Sequence, residues 1–413
     1  MKFNILRLVL ALVSALVLAI LVRPAVSQHY ELLFLQGEKD GAAIAASVTG
    51  ENAGYAKALG AVCLEEHGPA DLQKAEGLFR ESISLDPMDP DAWLWLARLY
   101  QAEGRKPLAE SAVKNALAKS AGSPGVIWDA GVLLLQMDDA AAGIAQFRKY
   151  ILMEPREQQK IYGICLALGL QPAYMQRNLV PAEGPYLRQW LYFLMRAGQR
   201  DAAGRAWEKL ARLGAPTKGD YLKYCDFLIT NGNETGALAI WNQLFSRSDA
   251  ELKPGRIWDG NFGQPVTNKG FGWRIGQAPG VRIFLDGDIK MAGQYSLSAS
   301  FDGSSNPDIS LASQIVPVEA GHRYTVSGYV KTSGITTDNG IFLQVRGYDC
   351  AGLQAGTPPV TGTSFWQKQS VDFTVPSGCK AIMFSIRRAA STSLDNRISG
   401  DVWVDSVKMA QRG

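Results

Sequence analysis

The feature that most constrains this chain is a register that returns roughly every 34 residues, the length of a stacked helical unit. One set of small residues recurs as Gly60, Ala97 and Gly131, and a second as Ala75, Ala109 and Gly143. A bulky position recurs as Phe79, Val113 and Phe147, and a terminating position as Pro87, Ala121 and Pro155. From the second unit to the third every series takes the same step. From the first to the second the leading series, Gly60 to Ala97, takes a longer one, which places an insertion in the Glu66–Asp71 loop. Such a period means supersecondary units that cannot bury their apolar faces alone. Each unit reads as two antiparallel amphipathic helices. The small positions let the backbones approach, the bulky one fills the groove to the next unit, and proline stops the second helix.

The second unit, with Trp93, Leu96, Ala97, Tyr100, Ala109, Val113 and Ala116, resembles the tetratricopeptide repeat. The pattern returns as Ala203, Trp207 and Leu210, then one period further on as Ala237, Trp241 and Leu244. Residues 52–250 therefore read as tetratricopeptide-like helical repeats, with three clear units at 53–157 and two degenerate ones at 184–250. Residues 158–183 depart from the pattern and read as one helix plus a stretch interrupted by Pro172 and Pro181. The resemblance implies a protein or peptide partner held in a concave groove. Cys63, Cys165 and Cys225 fall at interior positions and read as inert packing.

After Lys253-Pro254-Gly255 the helical period stops. Short alternating runs take over at Tyr324–Val330, Ile341–Tyr348, Val371–Val375, Ala381–Arg387 and Val402–Val407. Leu297, Ala299 and Phe301 mark another strand, and Val281, Ile283 and Leu285 one more. Turns such as Asp302-Gly303 and Asp338-Asn339-Gly340 separate them, so residues 256–410 read as an antiparallel sandwich of eight to ten strands. Six phrases occur in order: Trp258-Asp259-Gly260-Asn261-Phe262, Gly293-Gln294-Tyr295-Ser296-Leu297, Gln314-Ile315-Val316-Pro317-Val318, Gly321-His322-Arg323-Tyr324, Gly362-Thr363-Ser364-Phe365-Trp366 and Val402-Trp403-Val404-Asp405-Ser406-Val407. Together they resemble the galactose-binding-like jelly rolls of bacterial carbohydrate-binding modules.

Sugar recognition needs an aromatic ring for the apolar sugar face and planar polar groups for paired hydroxyls. Alternation puts Val326, Val330, Leu343, Val345, Ile382, Phe384 and Ile386 in the core. If their strands are neighbours, Tyr329, Gln344, Arg346 and Arg387 share one open face and form the candidate ligand-binding platform. An ordinary solvated sheet face is the competing reading. Trp273 and Trp366 are the tryptophans that bear on a site, and Trp273 reads as a core residue more than a site cap. Arg387-Arg388 could dock the loop Asp395–Gly400. The resemblance also implies a calcium site near the first and last strands, where the opening motif usually ends in glutamate. Gly263 occupies that position here while Asp405 keeps the acidic one, so no metal is expected. Cys350 and Cys379 are the only cysteines of this domain, each at a strand edge. A disulfide is the expected pairing for an exported domain, and two free thiols the alternative.

The N-terminus bears on compartment. Lys2 precedes an apolar run from Ile5 to Val22, interrupted only by Arg7 and Ser14. Its length lies between a signal-peptide core and a membrane span. Residues 1–27 read as a signal peptide or membrane anchor and 28–51 as a juxtamembrane helix. Ala25-Val26-Ser27 offers a cleavage site, and Arg7 can snorkel from an uncleaved anchor. Both readings send the rest of the chain across the membrane. The expected location is the bacterial inner membrane, single pass, with the bulk in the periplasm; the alternative is export after cleavage.

Composition narrows the function. Lys and Arg number 42 against 39 Asp and Glu, and from Arg256 onward the counts are 15 and 12, so neither part is a basic nucleic-acid binder. Three distant histidines, no C-x-x-C, no G-x-S-x-G, no P-loop and no H-E-x-x-H leave no catalytic residues, metal site or cofactor to propose. The expected fold class is multidomain α and β: an N-terminal membrane helix, an all-α tetratricopeptide-type solenoid and an all-β jelly roll. The expected role is a non-catalytic envelope scaffold. Its repeats would bind a protein, its jelly roll a polysaccharide and its N-terminal helix the membrane. This combination resembles proteins of bacterial exopolysaccharide assembly and export. A purely protein-binding envelope scaffold is the alternative.

Overall fold

The computed structural model describes residues 52–66, 68–245, 251–394 and 396–412. The expected membrane segment at 1–27 and juxtamembrane helix at 28–51 lie outside them. Among the described residues no helix is long and apolar enough to cross a membrane. The chain divides after Leu210 into two compact units.

Helices come in pairs: α1 (Ala53–Glu66) and α2 (Pro69–Leu85), α3 (Pro90–Ala102) and α4 (Lys106–Lys119), α5 (Pro124–Gln136) and α6 (Ala140–Met153). They continue with α7 (Gln158–Ala167) and α8 (Pro172–Asn178), α9 (Gly184–Arg196) and α10 (Arg200–Arg212), α11 (Lys218–Thr230) and α12 (Glu234–Leu244). The first helices of the pairs begin at Ala53, Pro90, Pro124, Gln158, Gly184 and Lys218, an even step except for the first and the fourth. Helical hairpins at tetratricopeptide spacing followed by a two-sheet sandwich are the architecture expected from the sequence.

The small positions work by admitting an aromatic ring. A Cβ on Gly60 would stand 2.6 Å from the Phe79 ring, and one on Gly131 would stand 2.8 Å from Phe147. The bulky residue thus packs into its own hairpin. Phe79 also reaches the next one, where it stacks on Trp95 at 6.2 Å. Pro87 follows the end of α2, and Pro155 opens a single 3-10 turn after α6. Ala121, which fills the same slot, ends its hairpin with a left-handed φ of 48°.

Residues 158–183 contain a second helix in place of the expected proline-interrupted stretch. Pro172 occupies the start of α8, where its missing N–H is an unpaired donor position in any case. The hairpin is shortened, and it closes around fully buried Tyr162, Cys165 and Met175. Tyr162 packs edge-on against Trp190 at 4.9 Å.

The sandwich has ten strands: β1 (Arg274–Ile275), β2 (Val281–Asp286), β3 (Ser296–Asp302), β4 (Ile309–Pro317), β5 (Arg323–Ile335), β6 (Ile341–Gly347), β7 (Gln354–Gly356), β8 (Gly362–Thr374), β9 (Ala381–Arg388) and β10 (Ser399–Gln411). One sheet has the order β1-β4-β9-β6-β7 and the other β2-β3-β10-β5-β8. All pairings are antiparallel, and successive long strands mostly alternate between sheets. The inner faces meet in one core, with Val326, Val330, Val402 and Val404 from one sheet and Leu343, Val345, Phe384 and Ile386 from the other.

The opening phrase Trp258–Phe262 serves the frame. Gly260 lies against the Val407 carbonyl, where any side chain would collide. The Val407 amide donates to the Gly260 carbonyl at the β10 bulge. Phe262 stacks on Trp273 at 4.9 Å, and the Trp273 indole N–H donates to the Asp259 carbonyl. Trp273 is therefore a core residue.

The last hairpin belongs to the same compact unit as the sandwich. Thr217 and Asp220 form a capping box that starts α11. Trp241 of α12 is fully buried, at 5.3 Å from Trp258 and 6.0 Å from Phe271. Leu252, Ile315 and Ala381 join the same cluster, with Tyr348 and Met383 packed against it. Asp226 of α11 accepts from the Gly270 amide at 2.6 Å and pairs with Arg274 at 3.1 Å. Gly270 has φ +58°, and a Cβ there would lie 2.5 Å from the Trp241 ring. The run Gly270-Phe271-Gly272-Trp273-Arg274 is thus the seat of the hairpin as well as part of the core.

Candidate functional site

The outer face of the β1-β4-β9-β6-β7 sheet brings three of the four expected site residues together. Leu343 and Val345 point into the core, so Phe342, Gln344 and Arg346 project outward from β6. On β9 the outward set is Met383, Ser385 and Arg387. Register places Arg387 beside Phe342, Ser385 beside Gln344 and Met383 beside Arg346. On the other flank of β9, Ser310 opposes Arg387 and Ser313 opposes Ser385. Arg274 of β1 opposes Ser313.

Tyr329 is not part of this face. It lies on β5, which pairs with β10 and β8 in the other sheet, opposite Asp405 and Lys368. The chain crosses between sheets from β5 to β6, so two consecutive strands present their outward residues on opposite sides of the sandwich. Alternation predicts inside and outside; it carries no information on which sheet a strand joins.

Phe342 supplies the ring expected of Tyr329. It is half-buried and two positions from Gln344 on the same strand. The alternation that selects Gln344 and Arg346 marks it equally. The Gln344 Oε1 atom is buried with no hydrogen-bond partner among the described residues. Arg387 pairs with Asp308, whose side chain is half-exposed at the rim. Arg346 is exposed and has no side-chain partner among the described residues. One end of the face, at Ile315, Met383 and Tyr348, is covered by the last hairpin and Leu252. That cover leaves an open area bounded by a helical wall.

Other residues singled out in the sequence have frame roles. Arg388 points inward and is fully buried. It donates to the carbonyls of Asn339, Pro307 and Asn396 and to Asn306 Oδ1, which ties the 396 loop to the end of the sandwich. Asp395 lies outside the described residues. Asp405 is fully buried and accepts from the Met291 and Ala292 amides at 2.7 and 2.9 Å. Those donors take up lone pairs a cation would need. Asp259 accepts from the Gly263 and Gln264 amides. Burial pushes its carboxyl above the ordinary range against the pull of those two bonds. Trp366 is half-buried on the edge strand β8.

Cys350 and Cys379 are joined in a disulfide, with Cα atoms 5.3 Å apart. Cys63, Cys165 and Cys225 are buried and take no part in that disulfide. Burial pushes the Cys165 thiol up to about 12, and Cys225 up as well, so neither is a nucleophile at neutral pH.

In the helical unit a cleft of about 330 Å³ opens between α1, α3 and α5, lined by Trp95, Arg98, Gln101, Asp129, Val132 and Gln136. Arg98 lies 4.6 Å over the Trp95 ring and bridges to Asp129 at 2.6 Å. Lys160 lies 4.6 Å over Trp128. Mixed charge backed by aromatic rings suits an extended peptide.

No protein-family profile matches this chain, and no curated protein matches it. Among solved structures it is similar to the enzymatically active domain of bacteriophage CBA120 tailspike protein 4, at 14% identity and a TM-score of 0.27. That match covers 37% of this chain and only 20% of the tailspike. It is similar to the CBM22-1 xylan-binding domain of Paenibacillus barcinonensis Xyn10C, at 14% identity and a TM-score of 0.26, covering 39% of this chain and 97% of that one. It is also similar to Pseudomonas aeruginosa PilF, at 15% identity and a TM-score of 0.30, covering 55% and 95%. The architecture itself rests on the helix spacing and strand order described above.

Proposed function

We propose that this protein is a non-catalytic binding protein whose sandwich holds a polysaccharide on the β4-β9-β6 face and whose helical repeats hold a protein partner. The observation that carries the reading is Gln344 Oε1, a buried acceptor without a partner among the described residues, set between Phe342 and Arg346 on one strand. Leaving such an acceptor unpaired costs about 1–3 kcal/mol. Turned outward from its present buried position, the amide would meet a sugar hydroxyl while the Phe342 ring covers the apolar sugar face. The groove at Trp95 and Arg98 supports the peptide half of the reading.

The location proposed is the bacterial inner membrane, with both units in the periplasm, and the role is in exopolysaccharide assembly or export. The apolar run from Ile5 to Val22 behind Lys2 supports membrane targeting. The Cys350–Cys379 disulfide supports an oxidising compartment.

Affinity electrophoresis of the full chain through gels containing xylan, β-glucan, alginate or polygalacturonate tests the glycan reading. Phe342→Ala is expected to abolish retention, and Tyr329→Ala on the opposite face to leave it unchanged. Retention that survives Phe342→Ala combined with Gln344→Ala refutes this face as the site. Absence of retention on every polysaccharide favours a purely protein-binding scaffold.

A further inference from the structure

The charge on the candidate face is one-sided. Ser310, Arg387 and Phe342 form one row across it. Arg274, Ser313, Ser385, Gln344 and Gly356 form the next, and Ile315, Met383, Arg346 and Gln354 the third. These rows hold three arginines and no carboxylate. Among the described residues, the acids paired with them stand at the margins, Asp308 on Arg387 and Asp226 on Arg274. The outer face of the other sheet is mixed by contrast, with Asp286, Asp372 and Asp401 among Arg282, Lys331 and Lys368.

Spacing adds to this. Arg387 faces Phe342 across the ladder, and Arg346 is four positions further along the same strand. At the rise of an extended strand that separates the two backbone positions along the sheet by about 13 Å. Gln344 and Ser385 lie between them, and Phe342 stands beside Arg387. A short run of sugar rings laid along β6 would therefore meet a cation at each end, an aromatic ring beside the first cation and a planar amide in the middle. Arg346 stands exposed without a counter-ion among the described residues. Guanidinium is the side chain best matched to bidentate pairing with carboxylate.

We propose that the ligand of this face is an anionic polysaccharide, one that carries acidic groups along its chain, and that Arg346 and Arg387 read those groups. This rests on the glycan reading above and names the class of glycan. Arg346 is the primary contact. Arg387 joins by exchanging Asp308, at the rim, for the ligand's acid.

The test uses the full chain and matched pairs of probes: polygalacturonate against its fully methyl-esterified form, alginate against its carboxyl-reduced form, and dextran sulfate against dextran. The charged member of at least one pair is expected to bind, the neutral member on the order of 10- to 100-fold more weakly, which is what one charge-assisted contact supplies. Arg346→Gln is expected to remove that preference and the salt dependence of binding, and Arg346→Lys to restore part of it. The side chain is exposed, so neither variant threatens folding. Selectivity for the uronates over dextran sulfate identifies carboxylate as the acid read. Equal binding of the charged and neutral members overturns the inference and leaves the glycan reading standing. The same holds if Arg346→Gln leaves the charge preference intact. Binding of none of these probes, nor of xylan or β-glucan, overturns both.

Discussion

Replacing Trp241 tests whether the last helical hairpin is part of the sandwich's own fold. The side chain is fully buried among Phe245, Trp258 and Phe271, with ring centroids 4.7, 5.3 and 6.0 Å away. Truncating a buried aromatic to alanine costs about 3–5 kcal/mol. One term runs the other way. The Trp241 indole N–H is buried with no partner among the described residues, so deleting it returns about 1–3 kcal/mol. Taking the middle of each range, Trp241→Ala is expected to destabilise residues 211–413 by about 2 kcal/mol. Trp241→Phe keeps a ring and loses the orphan donor, and should cost less than about 1 kcal/mol. Gly270→Ala attacks the same contact from the other side. It forces a Cβ to 2.5 Å from the indole and places alanine at φ +58°. The two effects amount to about 2–5 kcal/mol. In the Trp241→Ala background the clash with the ring vanishes, leaving a 3.2 Å contact to Cys225 Sγ and the backbone part, about 1–2 kcal/mol. Urea unfolding of 211–413 followed by far-ultraviolet and near-ultraviolet circular dichroism measures all four variants. The expected result is one coincident transition that moves as a whole. If Trp241→Ala moved the helical signal alone, or cost less than about 0.5 kcal/mol, the hairpin would be an appendage and the reasoning refuted.

Two further outcomes follow from the fold. Cys350 and Cys379 are 29 residues apart, and closing a loop of that size restricts the unfolded chain by about 3.5 kcal/mol. A reductant should lower the urea midpoint of 211–413 accordingly; an unchanged midpoint with both thiols shown free by alkylation would remove the disulfide from the stability account. In the helical unit, burial pushes the Glu76 carboxyl up, but hydrogen bonds from Arg105, Arg80 and Tyr100 outweigh it and hold the group below its ordinary value. Stability from this group is present above the unfolded value, about pH 4.3, and is lost as pH falls through the folded value. Glu76→Gln should flatten that part of the acid limb of a stability-against-pH curve, and an unchanged limb would count against the network.

Much of the fold is legible because its signals are local. Gly60, Gly131, Phe79 and Phe147 announce their hairpins through spacing alone, since a ring in one helix needs a bare backbone in the other. The shortened hairpin at 158–183 is only half legible. Pro172 reads as an interruption, whereas at the first turn of a helix proline is well tolerated. On the sandwich, Gln344, Arg346 and Arg387 do share a face, and Phe342 is available from the same alternation. Tyr329 has the right parity to join them, but parity is defined within a sheet. The phrase Gly270–Arg274 carries no sign of its second role, because the Trp241 that needs its glycines lies in a preceding helix, a different kind of structure.

The sequence by itself determined the two periods, 3.6 and 2, the places where one gives way to the other, and which residues of each element face inward. These follow from side-chain spacing along a single helix or strand. Only the tertiary structure decided that β5 and β6 join opposite sheets, which removes Tyr329 from the candidate site. It alone decided that the last hairpin closes one end of that site by seating Trp241 on Gly270. Both depend on pairing between segments far apart in the chain, where backbone hydrogen bonds and packed rings choose the partner and no local pattern names it.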